Sequence, residues 1–63
     1  MWIVVAMPTD QILAAKMQQT LEVEGLLVKL KKVSGDSIST TYEVLVLESE
    51  ADSAREILLD NGL

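Results

Sequence analysis

Residues 1–7 read Met-Trp-Ile-Val-Val-Ala-Met, and no polar side chain interrupts them. β-Branched and aromatic residues, which favour strands, dominate this stretch, and Pro8-Thr9-Asp10 then stops it. A strand that is apolar on both faces is typical of a sheet interior, where other elements cover both sides. The stretch therefore predicts a buried first strand, and the rest of the chain must supply its cover.

The next segment predicts an amphipathic helix over residues 10–24. Thr9 is the expected N-cap, with Asp10 in the first turn, where a negative charge suits the helix dipole. Gly25 follows where a helix commonly ends in the left-handed conformation. The apolar residues that recur every four positions, as one face of a helix requires, are Leu13, Met17 and Leu21.

Two further strands are predicted after this helix. Residues 26–33 are the second strand, in which Val28 and Leu30 alternate with Lys29 and Lys31, so one face is apolar and the other charged. Lysines discourage pairing with further strands, which places this strand at a sheet edge. Residues 34–40 form a polar loop and residues 41–47 the third strand. The third strand has Tyr42, Val44 and Val46 on one face and Glu43, Leu45 and Leu47 on the other.

A second helix is predicted from residue 49 to a stop at Gly62. Ser49 is its expected cap, and Asp52 stands in the capping-box position three residues later. The buried stripe of this helix is expected to comprise Ala51, Ala54, Ile57 and Leu58. The element order is therefore β-α-β-β-α, in a single α+β domain of residues 1–63.

This order predicts a split β-α-β, or ferredoxin-like, fold that lacks the fourth strand. The antiparallel three-stranded sheet then has the order 1-3-2, with both helices on one face. That topology moves residues 1–7 to a sheet edge, and an apolar edge promotes pairing with another chain. Two copies can pair through this edge or stack their open sheet faces, and the sequence leaves both modes of homodimer open. The expected interface residues are Trp2, Val4, Leu27, Leu45 and Leu47.

Composition excludes several classes of function. Without cysteine or histidine the chain has no disulfide, no thiolate nucleophile and neither of the commonest zinc ligands. We therefore expect no catalytic residue, no metal and no cofactor. A net charge of −5, from ten acidic and five basic residues, disfavours binding to nucleic acid or anionic membrane. No window approaches the roughly 20 apolar residues of a membrane-spanning helix, so a cytoplasmic protein is expected.

Four segments carry a family resemblance: residues 24–29 (Glu-Gly-Leu-Leu-Val-Lys), 42–46 (Tyr-Glu-Val-Leu-Val), 48–51 (Glu-Ser-Glu-Ala) and 54–58 (Ala-Arg-Glu-Ile-Leu). In these segments the chain resembles a family of very short bacterial proteins of unknown function, described as signal-transducing domains. Leu47 departs from the family, in which proline is common before the capping acid. The resemblance covers nearly the whole chain and implies a half-ferredoxin β-α-β-β-α fold.

Some members of that family carry the label glutamate decarboxylase, and the residues argue against that reaction here. Pyridoxal-dependent decarboxylation needs a Schiff-base lysine, a carboxylate for the pyridine nitrogen and a phosphate cup in an enclosed site. Five basic residues among 63 positions cannot supply that enclosure. The sequence instead predicts a non-enzymatic regulatory or interaction module that self-associates and binds a protein partner or small ligand.

The alternative hypothesis is a sensor of small anionic ligands on the basic strand and the 34–40 loop. Backbone amides and hydroxyls beside lysines can complete an anion site. The plainer interpretation is that the lysines guard a sheet edge and pair across strands with Glu43. The predicted ligand-binding residues are Lys29, Lys31, Lys32, Ser34, Gly35 and Ser37.

Overall fold

The computed structural model describes residues 1–33 and 40–63 and confirms the predicted element order. The elements are β1 (Trp2–Ala6), α1 (Gln11–Val23), β2 (Val28–Lys32), β3 (Tyr42–Leu47), a 3-10 turn (Glu48–Glu50) and α2 (Ala51–Asp60). The sheet has the order β1-β3-β2 and both pairs of strands are antiparallel. This is the predicted three-stranded α+β arrangement.

The core lies between one face of the sheet and the two helices. Val44 and Val46 of β3 are fully buried there, because β3 is the central strand and both helices cover it. Ile3 of β1 and Val28 of β2 flank Val46 in the strand register. The helices contribute to the same cluster through Met17, Leu21, Ala51, Ala54 and Leu58. Among the described residues, the hydrophobic core is therefore one cluster between the helices and the side of the sheet that faces them.

The expectation that both faces of residues 1–7 are covered is wrong, because β1 lies at a sheet edge with helices on one side only. Trp2 remains 40% exposed. A β-bulge between Val4 and Ala6 adds one residue to β1 relative to β3, and both Val5 and Ala6 pack towards the core. The apolar residues of β1 therefore occupy different environments: some pack under the helices, some lie at the bulge, and some lie on the uncovered face of the sheet.

The two ends of α1 differ in how well the sequence predicted them. Asp10 is the N-cap, since its Oδ1 accepts a hydrogen bond of 2.8 Å from the backbone N–H of Ile12, so the prediction of Thr9 is wrong. The helix begins one residue later than predicted, and a carboxylate caps at least as well as a threonine hydroxyl. Gly25 has a φ of +90°, which confirms the predicted left-handed stop.

The predicted capping box of α2 is wrong. The 3-10 turn places Ser49 before the helix, so Glu50 occupies the N-cap position and makes no side-chain capping bond. Asp52 instead contacts Arg55 one turn later, at 3.3 Å between Oδ1 and Nη1. Neither described helix is long and apolar enough to cross a membrane.

Candidate functional site

The side of the sheet that faces away from the helices is the candidate functional site. Side chains alternate between the two faces of a strand, so the neighbours of the buried Val44 and Val46 point away from the core. We call this surface the open sheet face. Its residues are Trp2, Val4, Leu27, Lys29, Lys31, Glu43, Leu45 and Leu47.

One end of the open sheet face is a row of three apolar side chains that runs across the strands. The register pairs Trp2 with Leu47. Leu27 immediately precedes Val28, the partner of Val46, so continuing the alternation puts Leu27 on the β2 side of Leu47. Trp2 is 40% exposed and Leu27 is 63% exposed. An uncovered apolar patch rimmed by polar residues is typical of an interaction site.

Lysines bound this patch along β2. Lys29 lies opposite Leu45, and Lys31 lies opposite Glu43. The Nζ of Lys29 is 5.2 Å from the centroid of the Trp2 ring, within the range of a cation–π interaction. The open sheet face therefore has two positive charges against one negative charge, in a chain whose net charge is −5.

All five predicted interface residues lie on the open sheet face. Leu45 is at its centre, because Val4 lies opposite on β1 and Lys29 opposite on β2. Leu45 and Leu47 are only half-buried although they belong to the central strand. Their use as an interface stays a prediction, but the structure gathers Trp2, Val4, Leu27, Leu45 and Leu47 into one continuous surface.

The predicted anion-binding residues are gathered less completely. Lys29 and Lys31 share the open sheet face, two residues apart on β2. Lys32 lies opposite Tyr42, on the other side of the sheet, so the three lysines do not converge on one point. The remaining members of the predicted set lie outside the described residues: Ser34, Gly35 and Ser37. The anion site stays a prediction.

The sequence reasoning missed a second surface, a cavity of about 250 Å³ between β1 and α2. It lies on the side of β1 where the fourth strand of a ferredoxin-like fold would pair. No sequence pattern indicates this cavity, because its residues come from the first strand, the second helix and the last residue of the chain. The lining residues are Val5, Ala6, Arg55, Leu58, Leu59 and Leu63.

No three carboxylates of the described residues come close enough together to hold a metal ion. Compared with known proteins, the chain matches no family model, no curated protein and no solved structure. The resemblance to the short bacterial family therefore stays a prediction.

Proposed function

We propose that this chain is a non-enzymatic interaction module that self-associates by stacking its open sheet face on that of a second copy. The observation that supports the proposal is the uncovered apolar row of Trp2, Leu27 and Leu47, which no described element covers. Stacked sheets pack about 10 Å apart with interdigitated side chains, which would remove this row from water.

Pairing of two copies through the edge of β1 is the competing mode, and the charges on α2 disfavour it. Helix α2 packs beside β1 and carries Asp52, Glu56 and Asp60 against one arginine. Two such helices brought side by side would repel each other. The open sheet face has no comparable excess of one charge.

The size of the open sheet face sets the expected strength of the dimer. Three strands about 4.8 Å apart and about 17 Å long give a face of roughly 14 Å by 17 Å. That is small beside the roughly 800 Å² that each partner buries in a standard interface. We therefore expect a weak dimer, with a dissociation constant on the order of tens to hundreds of micromolar.

A dilution series of the isotope-labelled chain, followed by NMR, tests the mode of association. The methyl signals of Leu27, Leu45 and Leu47 should shift with concentration, because these side chains enter the interface. Those of Ile12 and Leu59, exposed apolar residues on the helices, should stay fixed. Shifts centred on α2 and the outer edge of β1 instead would contradict face stacking.

A further inference from the structure

The outer edge of β1 presents backbone groups that no described residue satisfies. The N–H of Glu48 donates to the carbonyl of Met1 at 2.9 Å, so these two residues form a hydrogen-bonded pair. Hydrogen-bonded and non-hydrogen-bonded pairs alternate along an antiparallel ladder. Trp2 and Val4 therefore direct their N–H and C=O groups away from β3. Within residues 1–33 and 40–63 these outward groups have no partner.

An apolar groove adjoins this edge. It is the 250 Å³ cavity under α2, and the bulge in β1 turns both Val5 and Ala6 towards it. Leu58 is buried at its base, whereas Leu59 is largely exposed. A strand laid along the outer edge of β1 would place every second side chain over this groove, because side chains alternate across a strand.

Arg55 is the charged residue that lines the groove. A guanidinium has five N–H donors, and the one contact found for Arg55 among the described residues is the 3.3 Å approach to Asp52. Both side chains are exposed, so this pair contributes little to stability. Arg55 is therefore available to a carboxylate that it can bind through two hydrogen bonds.

The charges beside the groove indicate whether a strand that pairs with β1 comes from a second copy of the chain or from a different protein. Residues 1–7 of a second copy have no carboxylate to meet Arg55. Its α2 would moreover bring Glu56 and Asp60 beside the same acids. A segment of another protein can supply the carboxylate without a second acidic helix.

We propose that β1 and α2 bind an extended peptide segment of another protein as a fourth strand, with apolar side chains at alternate positions and one acidic residue for Arg55. Strand addition to an exposed sheet edge is a known mode of peptide recognition, in which the backbone supplies affinity and pockets supply specificity. The proposal goes beyond self-association, since the groups that bind the peptide are the outer backbone of β1 and a groove under α2.

The experiment uses the full chain and a short synthetic peptide of alternating valine and threonine with one central glutamate, blocked at both ends. Binding should shift the amide signals of Trp2 and Val4 and slow their hydrogen exchange. Replacing the glutamate of the peptide by lysine should weaken binding at least about tenfold, a loss of roughly 1.4 kcal/mol. A peptide with proline in place of one central residue should also bind less, because proline removes a backbone donor.

Variants of the chain separate the role of Arg55 from a general effect on the fold. Arg55→Gln should weaken the glutamate peptide about tenfold, whereas Asp52→Asn should leave its affinity unchanged or raise it by freeing the guanidinium. Arg55→Gln should not alter self-association, and Leu27→Ser on the open sheet face should not alter peptide binding. Failure of one proposal can thus be told from failure of the other.

Three results would overturn the proposal. The first is that the glutamate peptide fails to bind at millimolar concentration. The second is that the lysine peptide, or the Arg55→Gln variant, gives equal affinity. The third is that the amides of Trp2 and Val4 become protected as the concentration of the chain alone is raised, which would assign this edge to a second copy.

Discussion

Leu27→Ser is the substitution that tests the open sheet face most selectively. Leu27 is 63% exposed in the single chain, so only the buried remainder of its side chain is lost and the free energy of unfolding should fall by no more than about 1 kcal/mol. Complete burial of a leucine side chain is worth about 1.5–3 kcal/mol, so burying the exposed fraction contributes about 1–2 kcal/mol. A symmetric dimer contains this contact twice. We therefore expect a loss of about 2–4 kcal/mol, a roughly 30- to 1000-fold weaker association.

Ile12→Ser is the matched control for this substitution. Ile12 is 78% exposed, is also a large aliphatic residue, and lies on α1 away from the open sheet face. It should change the dissociation constant by less than about threefold. Sedimentation velocity over a dilution series measures both variants beside the unchanged chain. Equal weakening by the two substitutions, or none by Leu27→Ser, would refute the reasoning.

Three further predictions concern other parts of the chain. Dilution should shift the emission of Trp2, the one tryptophan, to longer wavelength as the interface opens; a constant maximum during dissociation would place Trp2 outside it. In urea denaturation, Asp10→Ala should lower the free energy of unfolding by about 0.5–2 kcal/mol and Thr9→Ala by less than about 0.5 kcal/mol. A larger effect of Thr9→Ala would identify Thr9 as the N-cap. Leu21→Ala should lower the free energy of unfolding by about 2–5 kcal/mol, and the exposed control Val23→Ala should lower it far less. Equal losses in the two variants would contradict the burial of Leu21 in the core.

The sequence was sufficient to predict the sheet and its order, because each strand has a distinct pattern. Lysine at every second position identified β2 as an edge strand, and apolar residues on both faces of β3 suit a central strand. The five predicted interface residues on the open sheet face followed from this order, since alternation fixes which side of a strand each residue occupies.

The remaining features depend on placements that the sequence leaves undetermined. The cap at Asp10 in place of Thr9 is a shift of one residue, which helix patterns do not resolve. The bulge at Val5 lies in a run without polar residues, so nothing in the pattern indicates which residue is extra. The groove is lined by Ala6 and Arg55, which are far apart in the sequence, so it forms only when α2 packs beside β1.

Sedimentation equilibrium of the unchanged chain at tens to hundreds of micromolar tests the central claim most directly. The chain has a mass of 6.9 kDa, and we predict an average mass that rises with concentration towards twice that value and no further. A limit at the dimer is expected because stacking two open sheet faces leaves neither free for a third copy. A mass that stays at 6.9 kDa throughout would contradict self-association through the open sheet face.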